Sequence, residues 1–334
     1  MKKLINLPGD EVKEMIEGMV LAFPDIIKKV PEWNIIVRRN APIKGLVALV
    51  SGGGSGHEPA HAGYVGKGML SGACAGETFT SPTVPQVFAA IKAVDGGAGT
   101  LLIIKNFAGD VMNFRTAAEM AQGEGIKADW VVVNDDVAIE KPEMRRGIAG
   151  TVFVHKCAGA KAEEGGTLEE VKAVAEKVIA NVRSMSCALT PCIVPRAGMP
   201  TFELGPDEME LGIGIHGERG VKKVKLMTAN EIADILTDAC VKDLGLKAGE
   251  EVAVIVQGNG GTPNMEKFIV ARRVLQNLKE KKLKVFTTWV GEFMTSLEMA
   301  GASVTLMRVD EETKRLLAAP SQTLAVNEPG PIVS

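Results

Sequence analysis

Two kinds of hydrophobic pattern alternate along the first half of the chain. Short, almost wholly apolar runs are typical of strands that are buried on both faces. They occur at 45–50, 101–104 and 130–133. Apolar residues that recur every three or four positions predict helices around these runs. Those helices are expected over 10–20, just after Pro82, near 113–123 and over 167–185. This alternation predicts a parallel sheet covered by helices.

The second half of the chain is less regular and mixes the two patterns. Strands are expected at 192–195, 211–215, 252–256, 284–290 and 302–309, and helices at 229–243 and 264–281. The segment from Met185 to Pro200 contains three prolines, which favours a domain boundary there. We therefore expect two α/β domains. Residues 1–185 would form a mostly parallel sheet flanked by helices, and residues 186–334 a mixed α/β domain.

Composition narrows the classes of function. Apolar residues make up 46% of the 334 residues, but no run is long enough to cross a bilayer, and the N-terminus lacks the apolar core of a secretory signal. We expect a cytoplasmic chain without a membrane partner. A net charge of −3 and 4% aromatic residues do not suit nucleic-acid binding, which needs a basic face and stacking rings. The five cysteines include no C-x-x-C pair, which argues against a disulfide framework or a structural zinc site.

The strongest candidate for a binding or catalytic site is the stretch Ser51–His61, SGGGSGHEPAH, which follows the apolar run at 45–50. We expect the strand to end here in a glycine-rich loop. Its glycines carry no Cβ, so the oxygens of a ligand can approach the backbone N–H groups. Two of the chain's four histidines, His57 and His61, lie directly after them. This combination favours a site for a small hydroxylated or phosphorylated molecule. A tight strand-to-helix turn without a ligand explains the glycines equally well.

The segment from His57 to His61 also matches the H-E-x-x-H signature of zinc proteases. That signature needs both histidines on one face of a helix. Pro59 is tolerated only in the first turn of a helix, which leaves His57 in the preceding loop and makes zinc a remote alternative. We therefore predict no metal site. The patterns of a nucleophilic serine elbow, a dinucleotide fold and a Walker A loop are also absent, so no nucleotide site is expected.

Two further segments place polar side chains after apolar runs. Lys105 and Asp110 follow the run at 101–104, and residues in this position of open α/β sheets commonly bind ligands. A lysine there can donate to hydroxyl groups and an aspartate can accept a proton from one, although Asp110 would equally cap a helix. His216 lies among glycines in GIGIHGERG, which favours an accessible side chain.

These segments, in this order, resemble the substrate-binding K subunits of the dihydroxyacetone kinases. The resemblance extends over almost the whole chain. The matching words are Ser51–His61 with Gly63-Tyr64, Gly68–Cys74, Phe79–Pro82, Leu101–Asp110, Asn113-Phe114, Arg145–Gly147, Gly212–Gly217 and Glu298–Val309.

The resemblance implies a covalent mechanism. In the family, a histidine at the position of His216 adds through a ring nitrogen to the C2 carbonyl of dihydroxyacetone and forms a hemiaminal. Glycerol has no carbonyl and cannot form it. Asp110 would take the proton from the terminal hydroxyl that receives phosphate, and His57 would assist at the C2 oxygen. The backbone N–H of Gly54 and the side chain of Lys105 would hold the hydroxyl groups of the substrate.

The resemblance also implies a source of phosphate. Family members that use ATP in one chain carry an additional helical nucleotide domain, whereas this chain has no nucleotide motif. We therefore expect no cofactor on this chain and a separate L subunit that carries ADP, or ATP, with Mg. Rephosphorylation of ADP by a phosphoenolpyruvate-dependent phosphocarrier is favoured over exchange of ATP. A homodimer is expected from the resemblance alone.

Two alternatives to this function stay open. Some relatives bind dihydroxyacetone through the same histidine and act as coactivators of a transcription regulator, without catalysis. A kinase subunit for another short ketose is the other alternative. Departures from the usual wording of the family occur in a short segment before Arg145, a compact region after Gly220 and the stretch Gln257–Thr262. They bear on substrate scope and partner choice more than on the type of reaction.

Overall fold

The computed structural model of the protein describes residues 2–218 and 220–330. The helices are α1 (Glu11–Ala22), α2 (Val84–Val94), α3 (Ala108–Gly123), α4 (Thr151–Glu163), α5 (Leu168–Asn181), α6 (Ala229–Leu244), α7 (Asn264–Glu280) and α8 (Glu311–Ala318). The strands are β1 (Ile27–Lys29), β2 (Ile35–Arg38), β3 (Ala48–Ser55), β4 (Gly72–Thr78), β5 (Thr100–Lys105), β6 (Ala128–Val133), β7 (Val182–Ala188), β8 (Glu208–Leu211), β9 (Lys222–Lys225), β10 (Glu251–Gly258), β11 (Lys284–Gly291), β12 (Gly301–Arg308), β13 (Ser321–Gln322) and β14 (Asn327–Glu328). Among the described residues, no helix is both long enough and apolar enough to span a membrane.

The first sheet has the strand order β1-β2-β4-β3-β5-β6. Strands β4, β3, β5 and β6 are parallel, and β1 and β2 add an antiparallel edge. Helices α2 and α3 contribute Val87, Ile91 and Phe114 to a core that they share with Leu102 and Ile104 of β5. The mostly parallel sheet expected in the first half of the chain is therefore confirmed.

The second sheet is mixed and has the order β11-β10-β12-β7-β8-β9. Strand β10 pairs with β11 in parallel, and the other neighbouring pairs in this sheet are antiparallel. Helices α6 and α7 share its core, in which Leu236 and Val274 accompany Val254. A capping box of Thr228 and Glu231 begins α6. The expected mixed α/β character of the second half is confirmed.

The described chain divides by its internal contacts into two units, each built from separate stretches of sequence. The first unit comprises residues 2–133, 153–178 and 315–330. The second unit comprises residues 134–152, 179–218 and 220–314. This differs from the predicted domains 1–185 and 186–334. One reason is that β7 pairs with β12 and so belongs to the second sheet.

Several predicted elements have different bounds. The helix expected over 167–185 ends at Asn181, because the next residues pair with β12 as a strand. Residues 192–195 form no strand beyond a single bridge at Ile193, in a proline-containing segment that cannot donate a full ladder. The strand expected over 211–215 ends at Leu211.

The glycine-rich stretch begins as a strand and not as a loop. Strand β3 continues through Gly52 to Ser55 and pairs with β4 along this length. A Cβ on Gly52 would collide with the carbonyl oxygen of Cys74 and lie 3.1 Å from the ring of Phe114. Close packing therefore requires at least this glycine, whatever ligand the strand end binds.

Candidate active site

A buried ion pair lies beside the glycines of β3, at the carboxyl ends of β3 and β5. Lys105 is the last residue of β5, and Asp110 lies in the first turn of α3. The Nζ of Lys105 lies 3.0 Å from Oδ2 of Asp110, and both side chains are almost fully buried. A Cβ on Gly53 would collide with this Nζ. Glycine is therefore needed at this position because the ion pair occupies the space of a side chain.

Asp110 has one oxygen bound to Lys105 and another that can accept. Its Oδ1 is buried and accepts no hydrogen bond from any residue within 2–218 and 220–330. The carboxylate lies at the N-terminal end of α3, where the helix dipole is positive. A buried carboxylate oxygen with unused acceptor capacity is suited to take the hydrogen of a bound hydroxyl group.

His57 lies directly after β3 and is fully buried. Its ring stacks on Phe79, with a centroid distance of 5.1 Å and an interplanar angle of 15°. The backbone of Phe79 and Thr80 fills the space beside Gly54, and the Phe79 N–H donates to the carbonyl of Ser55 at 2.9 Å. These contacts hold Gly54 and His57 at the same edge of the sheet as the ion pair.

His61 takes no part in an arrangement of the zinc-protease type. Residues 57–61 form a turn, so the two histidines of the signature do not share a helical face. The Nδ1 of His61 lies 3.0 Å from Nε2 of His155 on α4 and 3.4 Å from Oγ of Ser51. Among the described residues, no group of three or more histidine, cysteine, aspartate or glutamate side chains could hold a metal ion.

His216 lies in the second unit, in a turn beyond the end of β8. Its Nδ1 lies 2.7 Å from Oε1 of Glu218, and 20% of its side-chain surface is exposed. Burial raises the pKa of Glu218, but the hydrogen bond from His216, the charge of the protonated His216 ring and, to a smaller degree, the charge of Arg146 outweigh it and lower that pKa to about 2. The carboxylate is then ionised at neutral pH and can only accept a hydrogen bond. In the neutral ring, Nδ1 therefore carries the proton and Nε2 the lone pair.

Side chains of neighbouring segments fix the backbone of the turn that carries His216. Gly212 has a left-handed φ of 70°, and the hydroxyl of Ser186 donates to the carbonyl of Ile213 at 2.5 Å. The side chain of Thr201 occupies the position that a Cβ on Gly217 would take. The turn is therefore held at its start and at its end, and its glycines cannot be replaced without displacing these contacts.

Comparison with known proteins shows the family. A Dak1 domain matches residues 17–325. The chain belongs to the Dak1 family. This Dak1 chain is 50% identical to the dihydroxyacetone-binding subunit DhaK of a PTS-dependent dihydroxyacetone kinase from Listeria innocua, over 97% of its own length and 100% of the relative. The resemblance to the K subunits of dihydroxyacetone kinases is thereby confirmed.

Two solved structures share the fold of the Dak1 chain. The dihydroxyacetone kinase operon co-activator DhaQ has a TM-score of 0.90 and 35% identity, over 97% of this chain and 99% of that one. The dihydroxyacetone kinase of C. freundii, in complex with AMP-PNP and Mg²⁺, has a TM-score of 0.91 and 34% identity. That match covers 99% of the Dak1 chain and 61% of the C. freundii chain. The predicted α/β architecture is therefore confirmed.

The Dak1 chain distributes the predicted site residues over both units. Gly54, His57, Lys105 and Asp110 lie in the first unit, at the carboxyl ends of two adjacent parallel strands. His216 belongs to the second unit. The position of the first four follows the general rule that ligands bind beyond the carboxyl ends of strands in open α/β sheets.

Two residues of the Dak1 chain that contact candidate histidines were not identified from the sequence. Glu218 is two residues beyond His216, so a search for carboxylates beside each candidate histidine could have found it. His155 lies 94 residues beyond His61, in a buried helix, and no local signal relates the two. Their contact depends on the tertiary fold alone.

Replacing Gly53 by alanine is expected to lower the free energy of unfolding by about 1–3 kcal/mol, the usual cost of overpacking a core. The new methyl group would displace the Nζ of Lys105 and weaken its pair with Asp110. Denaturant titration measures the change. Gly18→Ala is the matched control, because Gly18 lies inside α1 and a Cβ there would meet no atom within 4 Å. Equal stability of the two variants would contradict the close packing at Gly53.

Acid is expected to destabilise the Dak1 chain through its buried histidines. Burial, with a smaller effect of the Lys105 charge, lowers the pKa of His155 from 6.5 to about 3. Burial and the same charge lower the pKa of His61 well below 6.5. Between these pH values the unfolded chain binds protons that the folded chain does not. The free energy of unfolding therefore falls as the pH is lowered through this range.

His155→Gln removes one of these groups and should make the free energy of unfolding less dependent on pH, by up to about 1.4 kcal/mol per pH unit. Urea unfolding followed by circular dichroism, repeated between about pH 7 and pH 4, gives the slope for each protein. The comparison uses the slope of the free energy of unfolding against pH and not its absolute value, since the substitution also changes the contact with His61. Identical slopes would show that His155 is not held neutral by the fold.

Proposed function

We propose that this chain is the dihydroxyacetone-binding subunit of a dihydroxyacetone kinase, a phosphotransferase with an alcohol group as acceptor. The observation that carries the proposal is the hydrogen bond between Nδ1 of His216 and Glu218, which leaves the lone pair of the neutral ring on Nε2. A ring nitrogen in this state is a nucleophile that can bind a ketone covalently. The identity of 50% to the Listeria innocua subunit supports the same function.

In the proposed first step, Nε2 of His216 attacks C2 of dihydroxyacetone. The N–C bond forms as the π electrons of the carbonyl move to its oxygen, which then takes a proton from His57. The ring is left with a positive charge, which the ionised Glu218 balances. Glycerol offers the same hydroxyl groups without a carbonyl. This step therefore selects ketones over polyols of similar size.

In the proposed second step, Asp110 takes the proton of a terminal hydroxyl as that oxygen attacks the terminal phosphorus of ATP on the L subunit. The bond from this phosphorus to the bridging oxygen breaks, and ADP leaves. The buried Oδ1 of Asp110, which no described residue bonds, supports this role. Lys105 would donate to a substrate hydroxyl from its place beside the same carboxylate, and the backbone N–H of Gly54 would donate to another. His57 would share acid and base work with Asp110.

The phosphoryl group is proposed to come from a nucleotide on a separate L subunit. The Listeria innocua relative belongs to a PTS-dependent kinase, which favours ADP that a phosphoenolpyruvate-dependent phosphocarrier rephosphorylates. ATP with Mg²⁺ is the other route, and the longer C. freundii kinase binds the ATP analogue AMP-PNP with Mg²⁺. We further propose that the subunit acts in the cytoplasm as a homodimer and serves glycerol metabolism.

A second candidate function is a dihydroxyacetone-binding coactivator of a transcription regulator. The likeness to the co-activator DhaQ, at 35% identity over 97% of this chain, supports it. Such a protein needs His216 for binding but has no use for a general base. The buried pair of Lys105 and Asp110, with its available carboxylate oxygen, favours the kinase. A kinase subunit for another short ketose would use the same residues.

A coupled turnover assay tests the proposed function. The chain is combined with the L subunits of the same organism, with either ATP or a phosphoenolpyruvate-driven phosphocarrier, and with dihydroxyacetone or longer ketoses. Dihydroxyacetone phosphate formed with the phosphocarrier would support the proposal in full. Covalent binding of dihydroxyacetone without turnover in any combination would favour the coactivator. Absence of both binding and turnover would overturn both candidates.

A further inference from the structure

Arg146 is a buried cation that contacts the turn carrying His216. Its Nε donates to Oδ2 of Asp136 at 2.8 Å, and its Nη2 donates to the carbonyl of Gly212 at 2.7 Å. Gly212 is the first residue beyond β8, where the chain enters the turn. Arg146 therefore ties the start of the turn to a fully buried carboxylate.

The same guanidinium approaches Glu218. A Cβ on Gly214 would collide with Oε2 of Glu218 and would lie 2.5 Å from Nη1 of Arg146. The carboxylate and the guanidinium thus lie on the same side of this glycine. Glu218 in turn holds Nδ1 of His216. Arg146 is thus paired with Asp136, and Glu218 accepts hydrogen bonds from the backbone N–H and the Nδ1 of His216. The guanidinium lies beside the Glu218 carboxylate at Gly214.

We infer that Arg146 is a positioning residue for the covalent step, because it fixes the start of the turn at Gly212, places a cation beside Glu218 and thereby keeps His216 in the tautomer with the proton on Nδ1. This inference deepens the proposed function and rests on His216 being the nucleophile. Without the guanidinium, Asp136 would lose its ion-pair partner, the carbonyl of Gly212 would lose a donor and the cation beside Glu218 would be absent. Glu218 would still accept from the backbone N–H of His216, at 3.0 Å, but in a turn no longer fixed at Gly212. Its contact with Nδ1 would loosen, and either ring nitrogen of His216 could carry the proton.

The neighbouring arginine provides a matched comparison. Arg145 is buried to a similar degree and lies in the same unit, but it donates to both carboxylate oxygens of Asp243, at 2.9 Å and 2.6 Å. It also donates to the carbonyl of Ile139. Replacing either arginine removes a buried cation with a carboxylate partner. Only the replacement of Arg146 removes the cation that approaches Glu218.

The test is to measure the tautomer of His216 by nitrogen-15 NMR, in histidine-labelled protein without dihydroxyacetone. The chain has four histidines, so His216→Asn assigns the signal. The wild type should show the proton on Nδ1. Arg146→Gln should populate the other tautomer and lower the amount of adduct at a fixed dihydroxyacetone concentration by roughly 10- to 100-fold, the range found when the partner that orients a ligating histidine is lost. Arg146→Lys should restore part of both, and Arg145→Gln should change neither.

A folded Arg146→Gln variant with the wild-type tautomer and the wild-type amount of adduct would overturn the inference. Should that variant not fold, Glu218→Gln decides, because its half-exposed side chain is easier to replace and its amide no longer requires a proton on Nδ1. An unchanged tautomer in Glu218→Gln would equally overturn the inference. A wild type that forms no adduct would instead contradict the proposed function, while the tautomers would still decide the role of Arg146.

Discussion

Replacing His216 by alanine is expected to leave no covalent adduct between the protein and dihydroxyacetone. Alanine has no nucleophilic atom, and the three remaining histidines are buried or nearly so. Intact-mass spectrometry after reductant-free incubation with dihydroxyacetone measures the loss directly. The variant should also lose its preference for ketones over glycerol, because both would then bind through hydroxyl groups alone.

Comparison of Glu218→Gln with His216→Ala distinguishes loss of the nucleophilic ring from disruption of the turn that carries it. Both change the same turn, but Glu218→Gln keeps the nucleophilic ring and should still form adduct at a reduced level. His216→Ala should form none at any dihydroxyacetone concentration. An adduct of the expected mass on the alanine variant would place the covalent bond on another residue. Thermal unfolding of both variants, compared with the wild type, shows whether either substitution has disrupted the second unit.

Most of the fold follows from hydrophobic periodicity, and the errors have physical causes. The runs at 101–104 and 130–133 lie in strands β5 and β6, and β5 is buried at every position, as a strand covered on both faces should be. The glycine-rich stretch misled the prediction, since glycines usually interrupt strands. Here β3 keeps them because Cys74 and Phe114 leave no space for a side chain, which a single sequence does not reveal.

The domain boundary was harder to predict than the elements. Prolines between 185 and 200 suggested a linker, but the structure assigns 134–152 to the second unit and 153–178 to the first. Periodicity is a local property, whereas membership of a sheet depends on which distant strand a segment meets. Strand β7 illustrates this, because its partner β12 lies more than a hundred residues further along the chain.

The site divides in the same way between what is local and what is not. Lys105 and Asp110 could be predicted because the ends of apolar strands are identifiable and residues there collect at one edge of a sheet. Their contact with Gly53 could not, because it depends on the register between β3 and β5. The role of Arg146 is likewise invisible in sequence. It and its neighbour Arg145 differ only in which carboxylate the fold brings to each.

Asp110→Asn is expected to keep the covalent adduct while phosphoryl transfer falls by about 10²–10⁴-fold, the usual contribution of a general base. The amide oxygen can still accept from Nζ of Lys105, so the local packing is retained, but it cannot take a proton from a hydroxyl group. Adduct is measured by intact mass and turnover by the coupled assay with the L subunit. Near-normal turnover would show that Asp110 is not the base.

Stability must be measured beside turnover in this variant, because the substitution leaves the buried ammonium of Lys105 without a counter-charge. Breaking a buried pair from one side costs about 3–5 kcal/mol in proteins. Lys105→Met is the complementary variant, since it keeps the carboxylate and removes the cation. If Asp110 is the base, Lys105→Met should retain more turnover than Asp110→Asn at equal folded fraction. The opposite order would assign the larger share of catalysis to Lys105, as the group that orients the hydroxyl, and would overturn the assignment of Asp110 as the base.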